Sequence, residues 1–378
     1  DRSIGGYHNH IQFVNGPNVG NFDIYSYLQK INSPLIDNSF YIEDNAHAFS
    51  INPKLLLTLI EFKTGLVTNQ NNSLVLDEPF GYPNVHGFKD ELAYISEELF
   101  INFYDKLYNE YKYNDKTYIK LESGNEIVLN SDINAASYAI LSTIAPIINE
   151  QEFENFISLE NKSSFVNIFK RLFPNNNPLD NSNNIIPNAL VPEDFLKLPF
   201  KGGDTWRFTG GPHKGTYPNY TSLDFAPGVA QCTVPSDRWI VSPADGIVTY
   251  VGCGGCRIEI AHGPNWKSYF YHVANPKVVV GQTVSKNQKI GNPSQRPHCT
   301  GNCGGCGGDA TGVHVHYTIL YNGAAQPMDG QLLENWRVRA VQTEYAGYLE
   351  RNGVIKSATS DDPIKSDYLK PVSSVSIT

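Results

Sequence analysis

A polar bridge divides the chain into two parts of different composition. Residues 174–196 are rich in Pro and Asn, which is typical of a linker. All six cysteines and all four tryptophans follow residue 200. With 378 residues the chain is long enough for two domains. The sequence therefore predicts a first domain over residues 1–173, a linker over 174–196, a second domain over 197–350 and a tail over 351–378.

The two parts also differ in charge. Residues 1–196 hold 12 Lys+Arg and 25 Asp+Glu (−13), and the totals of 29 and 38 leave 17 and 13 (+4) for the remainder. Neither part has the dense basic clusters of a nucleic-acid binder, so no nucleic-acid partner is predicted. No run of about 18 apolar residues predicts a membrane span. The chain starts at Asp1 without Met or a signal-type segment, which is typical of a mature or trimmed product and does not by itself indicate a localisation. We expect a secreted monomer.

The first domain is predicted to be mostly α-helical. Residues 53–63 begin with Pro53, a favoured first helical residue, and stop before Gly65. Residues 89–112 carry apolar side chains at helical spacing, and 135–148 and 153–173 add two further helical stretches.

The second domain is predicted to be an antiparallel all-β structure. Residues 239–252 have the pattern strand, turn, strand, and residues 257–262 and 266–272 alternate in polarity. Gly, Pro and Asn separate these short β-branched and aromatic runs. The predicted fold class is multidomain α + β, with a mostly helical N-terminal domain followed by an antiparallel all-β domain.

Two histidines, His314 and His316, flank Val315 in an alternating stretch. Successive side chains of a strand point to opposite faces, so these two imidazoles share one face. A catalytic zinc site commonly takes three His or carboxylate ligands, at roughly 2.0–2.2 Å, and leaves one position open. With His316, the earlier His213 and Asp224 can supply such a set.

Each of these residues also has an ordinary structural explanation. His213 follows two glycines and a proline and could be a loop histidine, while Asp224 could be a turn or capping residue. The strand pair could be two surface histidines. Their combination with His272, at the end of another alternating strand, makes coincidence improbable and favours a metal site.

Together these motifs resemble the lysostaphin/LytM-type zinc endopeptidases. Gly-Gly-Pro-His213, Ser-Leu-Asp224-Phe, Tyr-His272 and Gly-Val-His314-Val-His316 look like the signature of that family, in the same order. The long gap between the first two motifs, and the cysteines, are closer to the beta-lytic and staphylolytic protease branch.

The resemblance covers about residues 200–345 and implies a zinc metalloendopeptidase domain with one Zn²⁺ per chain. Zinc lowers the pKa of bound water and polarises a peptide carbonyl, while an imidazole can take the proton or stabilise the oxyanion. The implied substrates are Gly-rich peptides and the Gly-containing or Ala-linked peptides of bacterial peptidoglycan. The alternative is a non-enzymatic cell-wall or glycan-binding protein on the same β-fold. The implied site residues are the metal ligands His213, Asp224 and His316 and the catalytic histidines His272 and His314, whose separate roles stay open.

The cysteines allow two interpretations. The spacing of Cys253-Gly-Gly-Cys256 and Cys303-Gly-Gly-Cys306 resembles that of a four-cysteine zinc ribbon. In that interpretation Cys232 and Cys299 would not be zinc ligands. Six cysteines in a domain of extracellular type favour disulfides. Six allow 15 pairings, and we expect the 253/256 turn to be linked to the 299–306 loop.

The start of the 53–63 helix resembles that of lysozyme-like lytic transglycosylases. In those enzymes a Glu precedes Ser-Gly, whereas here Lys63 precedes Thr64-Gly65 and Glu61 is out of register. A Lys cannot be the general acid of glycoside cleavage, so no second active site is predicted. The first domain could be a pro-region, a targeting module or a scaffold.

Three asparagines, Asn71, Asn161 and Asn219, begin N-glycosylation sequons. Such triplets arise by chance in an Asn-rich chain. Their use would require a eukaryotic secretory route and stays open.

Overall fold

The computed structural model describes residues 10–69, 76–109, 117–178, 188–298, 310–358 and 363–367. The chain divides into a helical unit (Asp1–Pro187 with Asn322–Ala324) and a β unit (Asn188–Tyr321 with Ala325–Thr378). The predicted fold class, helical first and antiparallel β second, is confirmed. None of the helices in the described ranges is both long and apolar enough to cross a membrane.

The described part of the helical unit is built from α-helices of 4 to 21 residues and one small hairpin. The hairpin consists of β1 (Thr117–Lys120) and β2 (Glu126–Leu129). The helices are α1 (His10–Phe13), α2 (Ile24–Lys30), α3 (Ser39–Ala48), α4 (Pro53–Thr64), α5 (Phe88–Tyr108), α6 (Ala135–Ile144), α7 (Glu150–Ile157) and α8 (Phe165–Leu172).

Helix α4 begins and ends where the sequence predicts. The side chain of Asn52 accepts a hydrogen bond from the Lys54 amide, Pro53 occupies the first turn, and Gly65 ends the helix at φ 66°. The left-handed conformation at the C-terminus is one that glycine adopts without a Cβ penalty. The helix is buried along most of its length and packs against α3 and α8.

The stretch 153–173, predicted as one helical segment, is two helices. Asn149 forms a capping box with Glu152 at the start of α7, and the Ser164 side chain caps α8. Between them the Asn161 side chain accepts a hydrogen bond from the Ser163 amide at 2.8 Å and stabilises a turn. Short polar side chains that bond to nearby backbone groups favour caps and turns over a helix interior.

The β unit is dominated by one antiparallel sheet in the order β10-β6-β7-β8-β12-β4-β3-β18, with β13 paired to β12. Smaller sheets have the orders β5-β11-β9 and β14-β15-β16-β17. The strands are β3 (Thr205–His213), β4 (Ser222–Ala226), β5 (Ile240–Val241), β6 (Gly246–Gly252), β7 (Arg257–His262), β8 (Trp266–Tyr271), β9 (Val273–Ala274), β10 (Thr283–Val284), β11 (Lys289–Pro293), β12 (Val315–Tyr321), β13 (Ala324–Ala325), β14 (Leu332–Leu333), β15 (Trp336–Arg339), β16 (Tyr348–Arg351), β17 (Val354–Ser357) and β18 (Pro363–Lys365).

Strand β12 lies inside the main sheet, between β8 and β4. Its residues Val315, Tyr317 and Ile319 are fully buried in the core of the unit. Because side chains alternate across a strand, burial of this apolar set orients His316 towards the opposite face. Hydrophobic packing therefore fixes the face on which the histidines lie.

The β unit extends beyond the predicted second domain at both ends. Of the predicted linker 174–196, residues 179–187 lie outside the described ranges, while Val191 and Leu196 are buried in the β core. Of the predicted tail 351–378, β17 and β18 are strands, and Ile364 is buried opposite Trp206 of β3. Only isolated apolar residues in these polar segments pack into the β core. The composition of the segments therefore did not predict that they belong to the β unit.

Cys232, Cys253 and Cys256 are each disulfide-bonded, which excludes a zinc ribbon at the 253/256 turn. The predicted link of this turn to the 299–306 loop falls on residues outside the described ranges. The sequon at Asn71 also lies outside them.

Candidate metal centre

Three neighbouring strands bring His213, Asp224 and His316 together. His213 ends β3, Asp224 lies in the middle of β4, and His316 lies near the start of β12. In the sheet register His316 is directly opposite Asp224, and Asp224 is opposite Gly210. Residues 103 positions apart in sequence thus become neighbours.

The donor atoms of these three residues form a small triangle. Nε2 of His213 lies 3.1 Å from Nδ1 of His316. Oδ1 of Asp224 lies 3.5 Å from Nε2 of His213 and 3.2 Å from Nδ1 of His316. Nδ1 of His213 donates to the carbonyl of Gly211 at 2.8 Å, which leaves the Nε2 lone pair for the triangle. Ligand atoms about 2.0–2.2 Å from a tetrahedral zinc ion are about 3.3–3.6 Å apart. The residues present therefore fit a metal ion.

The electrostatics of the triangle favour a cation. Burial raises the pKa of Asp224, but the neighbouring His213, His314 and His316 lower it by a larger amount. The pKa of Asp224 therefore lies below its usual range. Burial lowers the pKa of His316 to about 4, although Asp224 opposes this shift. At neutral pH the site thus offers an ionised carboxylate and a neutral imidazole, the forms that bind a metal.

His272 and His314 lie beside the triangle. Nε2 of His314 is 3.7 Å from Oδ1 of Asp224, and the His272 and His314 ring centres are 4.5 Å apart. Nδ1 of His314 donates to the Gly312 carbonyl at 2.9 Å, and Nδ1 of His272 donates to the Arg296 carbonyl at 2.6 Å. In both rings Nε2 is left as the atom that can exchange a proton. Burial, and then His314 and His316, lower the pKa of His272 well below its usual value.

Gly210 makes room for the Asp224 carboxylate. A Cβ atom at this position would overlap Oδ2 of Asp224 and lie 2.8 Å from its Cγ. Any larger residue would therefore displace the carboxylate from the two imidazoles. Gly210 therefore has a direct steric role in the site.

Tyr345 is a site residue that the sequence analysis missed. Its ring stacks on that of His213 with centres 4.2 Å apart, and its backbone exchanges hydrogen bonds with Gly211 and Pro212. Burial, and then Asp224, raise the pKa of Tyr345, so the hydroxyl keeps its proton. No local pattern marks this tyrosine, which lies in an irregular segment after the recognised motifs.

Three further ring side chains on β7 and β8 are buried. Tyr269 and Tyr271 are below a tenth exposed, and Tyr271 stacks on His272 with ring centres 4.2 Å apart. His262 bonds the Asp245 carbonyl and the Ser268 hydroxyl, and burial lowers its pKa to about 4. These contacts give His262 a structural role in the sheet.

Comparison with known proteins identifies the family. Residues 228–329 match the family model "Peptidase family M23", and residues 8–185 match the model "LasA, N-terminal domain". The beta-lytic metalloendopeptidase of Lysobacter enzymogenes is 30% identical over 172 residues, which cover 43% of this chain and 92% of that protein. The chain belongs to peptidase family M23. As a member of this family it is a metalloendopeptidase, a hydrolase of peptide-like substrates that uses a metal.

Further relatives cover more of this M23 chain. Protease LasA of Pseudomonas aeruginosa is 27% identical over 350 residues, which cover 88% of this chain and 78% of LasA. The solved structure of pseudoalterin, an M23 metalloprotease from the deep sea, is 28% identical and covers 45% of this chain and 98% of its own, with a TM-score of 0.39. The similarity to LasA therefore extends over both units.

Proposed function

We propose that this M23 peptidase is a secreted, monomeric zinc metalloendopeptidase that hydrolyses Gly-containing or Ala-linked peptides of bacterial peptidoglycan. The observation that carries the proposal is the triangle of His213, Asp224 and His316 beside two further buried imidazoles. The substrate class is supported by the resemblance of the site motifs to lysostaphin-type enzymes. Membership of a peptidase family favours this activity over the non-enzymatic wall-binding alternative.

In the proposed mechanism His213, Asp224 and His316 hold the metal. When bound there, zinc would lower the pKa of a water molecule and polarise the substrate carbonyl. Nε2 of His314 or of His272 accepts a proton in one step and can donate it to the leaving amine in a later one. The carbonyls of Gly312 and Arg296 hold both rings in the tautomer that this exchange requires.

Removing the metal tests the proposal. Protein treated with a chelator and then desalted is expected to lose hydrolysis of a glycine-rich peptide and of purified peptidoglycan, because the metal would supply the activation of water and the polarisation of the carbonyl. Adding one equivalent of Zn²⁺ is expected to restore both activities, whereas Mg²⁺, which prefers oxygen ligands, is not. Hydrolysis that survives complete metal removal would refute the mechanism. Restored hydrolysis of the peptide but not of peptidoglycan would refute the substrate.

Gly210→Ala is expected to weaken metal binding about tenfold or more, an effect comparable to losing a group that orients a ligand. The physical reason is the overlap of the new methyl group with Asp224. Competition with a chromogenic chelator measures the affinity. Gly246→Ala is the matched control, because its methyl group would overlap the Ala261 carbonyl in the same sheet. Both variants should lose stability, and an equal loss of metal affinity in both would contradict a specific role for Gly210.

A further inference from the structure

The helical unit contains a cavity of about 330 Å³ between α4, α7 and α8. We propose that this cavity binds a single neutral, N-acetylated amino-sugar ring of the kind found in the glycan strands of peptidoglycan. The proposal rests on the proposed function, since it names a second partner of the same substrate polymer. It would make the helical unit a targeting module.

The buried acid in the wall of the cavity is engaged within the protein. Oε1 of Glu61 accepts hydrogen bonds from the Thr68 hydroxyl and from Arg171 (2.8 Å), and Oε2 accepts one from the Thr68 amide (3.0 Å). Neither oxygen is left to bring a proton to a glycosidic bond. The cavity is therefore suited to binding and not to glycoside cleavage, in line with Lys63 at the position where lytic transglycosylases have an acid.

The charges around the cavity are paired, which favours a neutral ligand. Glu61 is balanced by Arg171, and Oε1 of Glu152 lies 3.7 Å from Nζ of Lys63. A charged ligand would lose hydration without finding an unpaired counter-charge. A neutral ligand that offers several hydrogen-bonding groups has no such penalty.

The lining supplies donors, an acceptor and an apolar wall. Arg171 is half-exposed and uses one Nη for Glu61, its one polar partner among the described residues, so other N–H groups of its guanidinium remain. Oδ1 of Asn155 accepts from Asn161 at 2.9 Å, which leaves the amide nitrogen as a donor. Glu152 provides an acceptor, and Phe62 and Ile168 provide apolar surface.

An N-acetylated sugar ring matches these groups. Its hydroxyls would bond to Arg171, Asn155 and Glu152, and its acetyl methyl would pack on Phe62 and Ile168. Small-molecule sites range from about 300 to 1,000 Å³, so this cavity holds one ring and not a chain. The chemistry and the size select the same ligand class.

The test is a titration of the full chain with N-acetylglucosamine, followed by isothermal calorimetry and by ligand-observed NMR. Saturable binding with a dissociation constant on the order of 1 mM is expected for a ligand of this size. Glucosamine, which is cationic, and glucose, which lacks the acetamide, are expected to bind at least tenfold more weakly, a difference of about 1.4 kcal/mol. Absence of saturable binding, or equal binding of either control sugar, would overturn the proposal.

A variant pair locates the site. Asn155→Asp keeps the acceptor for Asn161 but replaces the donor with a negative oxygen, and it should weaken N-acetylglucosamine binding about tenfold or more. Asn84→Asp makes the same chemical change at an exposed turn residue and should leave sugar binding and peptide hydrolysis at the wild-type level. Unchanged sugar binding in Asn155→Asp would refute the site. Hydrolysis of a soluble glycine-rich peptide by the wild type reports separately on the peptidase function.

Discussion

His316→Ala is expected to abolish stoichiometric metal binding and to lower kcat/KM for a glycine-rich peptide by about 10³-fold or more. The metal supplies several kcal/mol of transition-state stabilisation, and each 1.36 kcal/mol corresponds to a factor of about ten. His316 is central to the triangle, since its Nδ1 lies within 3.2 Å of both His213 and Asp224. Metal analysis by mass spectrometry and steady-state kinetics measure the two effects.

His86→Ala is the control for this experiment, because His86 is 77% exposed and pairs only with Glu78 among the contacts of the described residues. It should retain wild-type metal content and turnover. Full metal content together with unchanged turnover in His316→Ala would remove His316 from the metal centre and would sink the proposed mechanism.

His314→Ala is expected to keep the metal but to lower kcat/KM by about 10²–10⁴-fold. A positioned proton-transfer group contributes a factor of this size. Nε2 of His314 faces Asp224 at 3.7 Å, and its Nδ1 is fixed on the Gly312 carbonyl, so the ring is oriented for proton exchange next to the metal position. Parallel measurement of metal content and kinetics separates this role from that of a ligand.

Two outcomes would contradict this assignment. Loss of the metal in His314→Ala would make His314 a ligand, and retention of full activity would make it a bystander. The variants His272→Ala and His272→Ala/His314→Ala extend the test, because two groups that act in one step have non-additive effects. If the double variant loses the full product of the single losses, the two histidines act independently.

The sequence predicted most of the local structure where side chains and backbone agree. Helix α4 was predictable because Pro53 and Gly65 impose backbone conformations that are independent of distant contacts. The strands β7 and β8 were predictable because their alternating polarity matches the two faces of a sheet. The five proposed site residues could be named because their motifs resemble those of the lysostaphin/LytM-type endopeptidases, and strand alternation and ligand chemistry agree with that set.

Other features depended on contacts that no local pattern records. The break between α7 and α8 follows from the turn at Asn161 and the cap at Ser164, which compete with an otherwise helical apolar pattern. Strand β18 is held by burial of Ile364 against β3, far away in sequence. Tyr345 enters the site only because its backbone pairs with Gly211 and Pro212.

By itself, the sequence determined the order of a helical and an antiparallel β unit and the residue types able to bind a metal and move a proton. These follow from backbone preferences and donor chemistry, which act over a few residues. Only the tertiary structure decided the 3.1–3.5 Å triangle, the steric need for Gly210, the stacking of Tyr345 on His213 and the cavity beside Arg171. Those depend on sheet register and on burial between segments far apart in the chain, so they arise only when the whole core packs.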